Sequence, residues 1–450
     1  MSNQEISQLT PHNSYFTGVD MKLVFRFLSF VALVAALAAC SPFGDDNTPP
    51  PSPLVNFNAT AAYLPLWSAN VGKGDDDNYL RFAVASDQGR LFTTDVNGNV
   101  LATNAVDGKR IWRTQLNKAI TSGVGMGAGL VFVGDNTGAL YALDEHTGNL
   151  RWQVTLENQA LATPEAQNNV VLVKTVDDEV YALNAQNGKT LWTFANAAPQ
   201  MILRFGSTPK IAGDKVVIGT ADGKVFVLSL ADGTILWQQQ LATPQGTTEA
   251  QQMVDVDVNP VMEEGNIYIA TYQGNIASLQ LDTGVTNWQK NLSSYTGIAL
   301  GKDNLFITDA NSHIWMFSKA DGSVTWQQDE LAYRDITAPA LSDQYVIVGD
   351  AEGYLHVLSR STGQFALRIP VGQTEPKNNQ NPKNLQSSIL SAPIVEGDKV
   401  YVLTRTGQLF AYQIVPLGTK DALHSQTPSH WADFWPVLIG TGLAIAAPFM

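Results

Sequence analysis

Cysteine is almost absent from this chain of 450 residues, since Cys40 is the single one. No disulfide can therefore form within the chain. Charged residues are also few, at 15% of the sequence, and acidic residues outnumber basic ones, which gives a formal net charge of −14. This balance argues against nucleic acid or anionic lipid as the main partner of the folded part, because both attract clustered Lys and Arg.

Recognisable catalytic and metal-binding motifs are missing as well. The six histidines do not have the HExxH spacing of a zinc site, and the chain contains no G-x-S-x-G elbow, P-loop or EF-hand loop. The acidic run Asp75-Asp76-Asp77 lacks the alternating spacing of a calcium loop, so we expect a solvated surface turn there. The sequence predicts no catalytic residue, no metal site and no cofactor.

What the chain has instead is an internal repeat. Its clearest copy is the stretch 131–152, in which three short apolar segments are separated by two turns that contain glycine, and Trp follows the second glycine by four residues. The second-turn glycines recur about every 42 residues from Gly108 to Gly363. Apolar residues on both faces of the stretch 140–143 are typical of a strand in a sheet packed between two others, and they disfavour a helical repeat of similar length.

This period predicts an all-β fold, an eight-bladed β-propeller of four-stranded blades over residues 62–415. Seven copies can be read in full, although the seventh has Leu367 where Trp is expected. An eighth begins at Val400 without the final Gly and Trp, whereas an orphan Trp67 precedes the first copy. We therefore expect the N-terminal strand to pair with the last blade and close the ring, which removes an exposed edge. Seven blades with Trp67 on a stray strand is the alternative.

The repeat tryptophans are expected to be architectural, because large flat side chains fill the space between blades. They are Trp67, Trp112, Trp152, Trp192, Trp237, Trp288 and Trp326.

The N-terminal part of the chain has the features of an export signal. Residues 1–20 are interpreted as a mis-annotated upstream or disordered extension, and residues 21–39 as a signal peptide with a basic start and an apolar middle. The end of this segment, Leu-Ala-Ala followed by Cys40, resembles the bacterial lipobox, which implies a lipid on that cysteine. An ordinary signal peptide is the alternative. By resemblance to sorted lipoproteins, Ser41 after the cysteine implies the outer membrane.

Two further segments lie outside the repeats. Residues 40–61, the lipidated cysteine and a Pro-rich stretch, are expected to be a flexible or polyproline-II-like tether. Residues 416–450 form an atypical, partly apolar tail. Its last 17 residues, 434–450, are uncharged but at the lower limit for a membrane span, so we interpret them as a weakly structured appendage, with membrane association or a true span as the alternatives.

Insertions interrupt the repeat at three places, and insertions in propellers often form a binding face. In the second, between 243 and 260, Asp255, Asp257 and Asn259 alternate with valines, so their oxygens share one side of an extended segment. They could hold a cation or receive an arginine or backbone amides of a partner, and a solvated rim is the alternative. The first insertion, 197–206, places Arg204 beside apolar residues, as a docking patch or an ordinary loop. The third, 372–388, is expected to be mobile.

The repeat resembles the pyrroloquinoline-quinone (PQQ)-type propellers, and the lipobox, the eight blades and the two insertions resemble the BamB family of outer-membrane lipoproteins. More specific than the repeat are Leu203-Arg204, the run from Trp237 to Asp257, and the run 348–356. The resemblance covers about residues 62–415. It implies a non-enzymatic scaffold of the outer-membrane β-barrel assembly (BAM) complex, which binds the POTRA domains of BamA and assists the insertion of barrel proteins, with unfolded outer-membrane proteins as further partners. The implied BamA-binding residues are Met201, Leu203, Arg204, Asp255 and Asp257.

Two other classes of function remain open from the sequence. One is a PQQ-dependent quinoprotein dehydrogenase on the same fold. By resemblance, such an enzyme needs a calcium site and a catalytic aspartate, and its alcohol-oxidising members often have adjacent cysteines, which a chain with Cys40 alone does not have. The other is an envelope sensor or polysaccharide-binding propeller.

Overall fold

The structure, a computed structural model, describes residues 49–75, 78, 80, 82–197, 199, 201–203, 206–372 and 387–423. Within these residues the fold is almost entirely β, with eight antiparallel sheets of four strands each. In chain order the strands are β1 (Ala61–Asn70), β2 (Ala85–Asp87), β3 (Arg90–Thr94), β4 (Asn99–Asn104), β5 (Arg110–Gln115), β6 (Gly125–Gly127), β7 (Leu130–Gly134), β8 (Ala139–Asp144), β9 (Leu150–Thr155), β10 (Glu165–Gln167), β11 (Val170–Lys174), β12 (Glu179–Asn184), β13 (Thr190–Ala195), β14 (Lys210–Ala212), β15 (Lys215–Gly219), β16 (Lys224–Ser229), β17 (Ile235–Gln240), β18 (Val261–Glu263), β19 (Asn266–Ala270), β20 (Asn275–Gln280), β21 (Thr286–Asn291), β22 (Ile298–Leu300), β23 (Asn304–Thr308), β24 (Ile314–Ser318), β25 (Val324–Gln328), β26 (Ala340–Leu341), β27 (Tyr345–Gly349), β28 (Tyr354–Ser359), β29 (Phe365–Pro370), β30 (Ile394–Glu396), β31 (Lys399–Leu403) and β32 (Gln408–Pro416).

The sheets are the blades of a propeller. Blade 1 is β2–β5, successive groups of four strands follow up to blade 7 (β26–β29), and blade 8 is β30–β32 with β1 as its outer strand. The first strands of neighbouring blades contact one another, as β6 does β10 and β10 does β14, so they line the inside of the ring. The prediction of an eight-bladed all-β propeller is confirmed.

Ring closure takes place through β1. This strand pairs antiparallel with β32, from Ala61 opposite Pro416 to Asn70 opposite Gln408, with an irregularity between Pro65 and Trp67. The N-terminal strand thus completes the last blade, as the orphan tryptophan predicted. The seven-blade alternative is wrong, because Trp67 lies on this pairing strand.

Each repeat tryptophan docks on the next blade. The indole Nε1 of Trp112 donates a hydrogen bond to the carbonyl oxygen of Glu145 (2.9 Å), and its ring lies where a Cβ on Gly148 would be, 2.5 Å from Cε3. The same arrangement recurs in the pairs Trp67/Gly108, Trp152/Gly188, Trp192/Gly233, Trp237/Gly284, Trp288/Gly322 and Trp326/Gly363. It also explains Leu367: the fourth strand of blade 8 is β1, so that blade has no turn between its third and fourth strands to receive an indole.

Glycine in these turns therefore provides both a left-handed backbone and room for the indole. A matched pair of variants separates the two effects. Gly148 (φ +72°) has the Trp112 ring against it, whereas a Cβ on Gly129 (φ +76°) would have nothing within 4 Å. Both Gly→Ala changes carry the cost of a left-handed backbone. Only Gly148→Ala also displaces an indole, so we expect it to lower the free energy of unfolding by about 2 kcal/mol more than Gly129→Ala. Urea denaturation measures this, and equal losses would contradict the docking role.

Two ends of each blade can be distinguished from the strand directions. Consecutive strands run in opposite directions, so the turn between the second and third strands lies at the same end as the connection from the fourth strand to the next blade. Hydrogen bonds join these segments, for example Ala351 N to Arg334 O (3.2 Å) and Tyr272 N to Asp255 O (2.8 Å). We call this end of the ring the connection face, and the end with the other turns the opposite face.

The termini of the described part lie on blades 7 and 8. From Ser52 onward the chain is hydrogen-bonded to blade 7, so the flexible tether expected up to residue 61 does not describe residues 52–60. At the other end, Leu423 forms an antiparallel bridge with Tyr63 of β1. Cys40, the signal segment, residues 373–386 of the third insertion and the apolar tail lie outside the described residues. No helix within the described ranges is long and apolar enough to cross a membrane.

One surface assignment is wrong. Asp75, expected in a solvated acidic turn, is 2% exposed. Both of its carboxylate oxygens accept from Nε of Arg405, at 3.0 and 3.1 Å. The carboxylate is therefore part of a buried ion pair. Asp76 and Asp77 lie outside the described residues.

Candidate docking surface

The two insertions with the predicted partner-binding residues are neighbouring connections. Residues 196–209 lead from β13 of blade 3 to β14 of blade 4, and residues 241–260 lead from β17 to β18 of blade 5. Both lie on the connection face. The second contains a short helix, α1 (Glu249–Gln252), which begins at Thr248 with a capping box: the Thr248 side chain accepts from Gln251 N, and the Gln251 side chain accepts from Thr248 N.

Hydrogen bonds from side chains to backbone hold the two connections together. Oδ2 of Asp255 accepts from the backbone N–H of Leu203 (3.1 Å), and Oδ1 of Asn259 accepts from that of Thr208 (2.7 Å). Asp255 and Asn259 therefore receive backbone amides, as the pattern allowed. The amides belong to the preceding insertion of the same chain.

The valine side of this segment packs inward. Val254, Val256 and Val258 are at most 2% exposed, and Val256 occupies the space beside Gly219 where a Cβ would be only 2.3 Å from it. Its backbone N–H also bonds to Thr220 O (3.1 Å). Apolar packing thus anchors the extended segment on blades 4 and 5.

The two carboxylates on the other side are buried too, so the alternative of a solvated rim does not hold for them, whereas Asn259 is exposed. Asp255 is 4% exposed and Asp257 is 6% exposed. A partner that meets this surface would touch the loop above Asp255 before it reached the carboxylate. Asp255 is thus placed to shape the loop that carries Leu203.

Burial makes the Asp255 carboxyl unusual. Loss of solvent raises its pKa to about 7, and the nearby negative charges of Asp257 and Asp178 act in the same direction, while the N–H of Leu203 acts against them. A carboxyl that titrates near neutral pH costs stability when it is charged. Natural sequences retain such groups most often at functional sites.

A buried ion pair that the sequence did not predict lies beneath the loop. Lys174 and Asp178 are 2.7 Å apart and each side chain is 4% exposed. Lys174 Nζ also donates to Gly219 O (2.7 Å), and Asp178 Oδ2 accepts from the N–H of Ala221 in the next blade (2.7 Å). The sequence did contain a signal, because Asp178 stands at a turn position held by glycine in most other copies and has φ +66°.

Between this pair and the loop is a cavity of about 20 Å³, bordered by Lys174, Asp178, Leu203, Gly206 and Asp255 among others. Its volume suffices for a single water molecule. The site is therefore a packed and charged support under a surface loop.

At the surface, the first insertion presents apolar groups. Met201 is 42% exposed, and Ile202 and Leu203 are half-buried beside it. The structure thus brings Met201, Leu203, Asp255 and Asp257 to one place, whereas Arg204 lies outside the described residues. An exposed apolar tip held by buried polar bonds has the features of an interface anchor.

Histidines and acidic residues do not assemble a metal site in the described part of the chain, where no group of three or more potential ligands converges. Two histidines instead complete polar networks inside blades. His313 Nδ1 is 2.8 Å from Asp309 Oδ2, and the fully buried His356 has Nε2 at 2.9 Å from Asp350 Oδ2.

Comparison with known proteins defines the family. The sequence model described as "Outer membrane protein assembly factor BamB" matches residues 65–120, 96–328 and 327–434. The chain belongs to the BamB family. The BamB of Yersinia pestis is 31% identical over 405 residues, which cover 87% of this chain and all of that protein. The BamB of Shewanella oneidensis is 33% identical over 389 residues, covering 84% and 95%.

A solved structure shares the fold. The crystal structure of BamB from Moraxella catarrhalis superposes with a TM-score of 0.68 at 24% sequence identity, over 78% of this chain and 99% of that one. The curated BamB relatives are described as outer-membrane protein assembly factors. Membership of this family associates the present chain with the outer membrane.

Proposed function

We propose that this BamB-family protein is a non-enzymatic scaffold lipoprotein of the BAM complex. It is anchored by acyl chains on Cys40 at the periplasmic face of the outer membrane. It binds the POTRA domains of BamA and so assists the assembly of β-barrel proteins. The observation that carries the proposal is the loop of residues 201–203: its exposed apolar tip is fixed from below by a buried carboxylate.

The geometry suggests different roles for the predicted partner-binding residues. Met201 and Leu203 supply apolar contact area, and Arg204 adjoins them in sequence. Asp255 and Asp257, being buried, preorganise the loop that presents these side chains. Preorganisation lowers the entropy cost of binding, so carboxylates that never touch a partner can still determine affinity.

The most direct test changes the exposed anchor, because substitution of a buried aspartate also perturbs folding. We expect Met201→Ala to weaken binding to the periplasmic POTRA domains of BamA at least about tenfold, since central apolar anchors contribute about 1–2 kcal/mol or more. Binding would be measured by isothermal titration calorimetry with the mature protein.

Ile111→Ala is the matched control, because Ile111 is similarly exposed (46%) but lies on the outer strand of blade 1. Its affinity should equal that of the wild type. Equal affinity of the wild type and of Met201→Ala would remove this loop from the interface, and a wild-type protein that does not bind BamA would overturn the proposed function.

A further inference from the structure

Blade 7 and the connection that leads into it contain a group of buried Arg, Asp and His side chains that the proposed function does not use. Arg334, Asp350, His356 and Arg368, here called the blade 7 cluster, are at most 3% exposed. Asp350 Oδ2 accepts from Arg334 Nε (2.9 Å) and lies 2.9 Å from His356 Nε2. Arg334 also pairs with Glu352.

The hydrogen bonds of the cluster fix the tautomer of His356. Arg368 Nε donates to His356 Nδ1 (3.3 Å), so Nδ1 is an acceptor and the ring proton is on Nε2, directed at Asp350. The order Arg368, His356, Asp350, Arg334 is therefore a continuous hydrogen-bonded chain through the blade. Each of the two guanidinium groups at its ends has donors left for another acceptor.

Those acceptors belong to the N-terminal segment, residues 52–60. Arg334 Nη1 donates to Ser52 O (2.8 Å), and Arg368 Nη1 donates to Val55 O (3.0 Å). Phe57 stacks on Phe365 with centroids 5.3 Å apart, and the Arg368 guanidinium lies 5.1 Å from the Phe57 ring centroid. Cation–π contact and main-chain bonds thus hold the segment at several points.

Backbone bonds at both ends show the path of the segment. Ser52 N donates to Ala332 O (2.9 Å) in the connection between blades 6 and 7, and Thr60 N donates to Ala366 O (2.9 Å) near the start of β29. Ala332 lies on the connection face, whereas β29 begins at the opposite face. The segment therefore crosses the outside of blade 7, enters β1 at the opposite face, and has its Ser52 end at the connection face.

We propose that the blade 7 cluster is a clamp that holds the N-terminal segment in place. As a result, the chain that leads from Ser52 back to the lipid anchor leaves the propeller at the connection face, which is therefore the exit face. The second part rests on the proposed acylation of Cys40. Residues 40–51 then span at most about 40 Å between the lipid and Ser52. Because this short tether starts at the connection face, that face lies nearer the membrane than the opposite face does, and the candidate docking surface shares it. Release of the clamp moves the exit to the start of β1, on the opposite face, and lengthens the tether by residues 52–60.

The clamp itself is tested by hydrogen exchange on the acylated protein in detergent. In the wild type, the amides of residues 52–60 should be protected. Phe57→Ala and Arg368→Gln should each speed their exchange at least tenfold, the first without leaving a buried charge unpaired. Arg405→Gln is the control, because it breaks the buried Arg405–Asp75 pair and should leave residues 52–60 protected. Unprotected amides in the wild-type segment, or equal acceleration by Arg405→Gln, would overturn the clamp.

The exit face is tested with dyes on two engineered cysteines, Ala250→Cys on α1 at the connection face and Ala231→Cys in a turn of blade 4 at the opposite face. Both alanines are exposed. In vesicles with a quencher on the lipid headgroups, the dye at 250 should be quenched at least twofold more than the dye at 231, and Phe57→Ala should abolish or reverse the difference. Equal quenching in the acylated wild type refutes the exit face. Absence of acyl chains refutes the anchoring in the proposed function, and the exchange experiment still decides the clamp.

Discussion

Asp350→Ala is expected to lower the free energy of unfolding by about 3–5 kcal/mol, because removal of one partner leaves buried charges uncompensated. Asp350 is fully buried and is the acceptor for Arg334 and His356 through one oxygen. Its other oxygen accepts from the backbone N–H groups of Glu352 (3.0 Å) and Tyr354 (2.8 Å), which holds the turn between β27 and β28. The variant loses both the turn and the counter-charge.

A comparison with Asp309 in blade 6 separates the contribution of the turn hydrogen bonds from that of the counter-charge. Its Oδ1 accepts from the N–H groups of Asn311 and His313 (both 2.9 Å), in the same kind of turn. Its Oδ2 accepts from Trp315 Nε1 (2.9 Å) and lies 2.8 Å from His313 Nδ1, but no arginine among the described residues is bonded to it. Asp309→Ala should therefore cost only about 1–2 kcal/mol. If the two variants lose equal stability in urea denaturation, the buried guanidinium groups of blade 7 do not depend on Asp350.

Acid should weaken the blade 7 cluster. Burial lowers the pKa of His356 below its ordinary value of 6.5, despite the opposing effect of Asp350. Burial tends to raise the pKa of Asp350, but the hydrogen bond from His356 and the charge of Arg334 hold it below 3.8. Both groups bind fewer protons in the native state than in the unfolded state, so their stabilisation is complete above about pH 6.5 and is lost as the pH falls.

The ring was predictable from sequence because its requirements are local. A turn that needs positive φ selects glycine, and an indole that must dock on the next blade selects Trp at a fixed distance from it. Even the exception at Leu367 obeys this rule, since blade 8 lacks the receiving turn. For the same reason, the orphan Trp67 predicted that the N-terminal strand completes the last blade and closes the ring.

Burial of the charged groups was not predictable, because their partners come from distant parts of the sequence. Asp75 bonds to Arg405, 330 residues away, and Asp255 bonds to Leu203, 52 residues away. The alternation of acidic residues and valines predicts which residues share a side of an extended segment, but it does not predict which other part of the chain covers each side. The polar side of such a segment is solvated only when no other loop lies over it.

The contribution of Asp255 to the free energy of unfolding depends on pH in the opposite direction to that of the blade 7 cluster. Its pKa is raised from 3.8 to about 7, so between these values the native state binds more protons than the unfolded state. The stabilisation is complete below pH 3.8 and is lost as the pH rises through about 7. The difference between the two values corresponds to at most about 4 kcal/mol.

Asp255→Asn should consequently raise the free energy of unfolding by about 2–4 kcal/mol at pH 8 and by only about 1–2 kcal/mol at pH 5, as measured by urea denaturation at both pH values. The amide oxygen of Asn can still accept from Leu203 N–H, so the loop keeps its position while the buried charge is removed. Asp282→Asn, at a side chain that is 78% exposed, should change stability by less than about 0.5 kcal/mol at either pH. A destabilised Asp255→Asn variant at pH 8 would contradict the assignment of a costly buried charge. A variant that is more stable yet binds BamA more weakly would mean that the charge serves the interface at the expense of the fold.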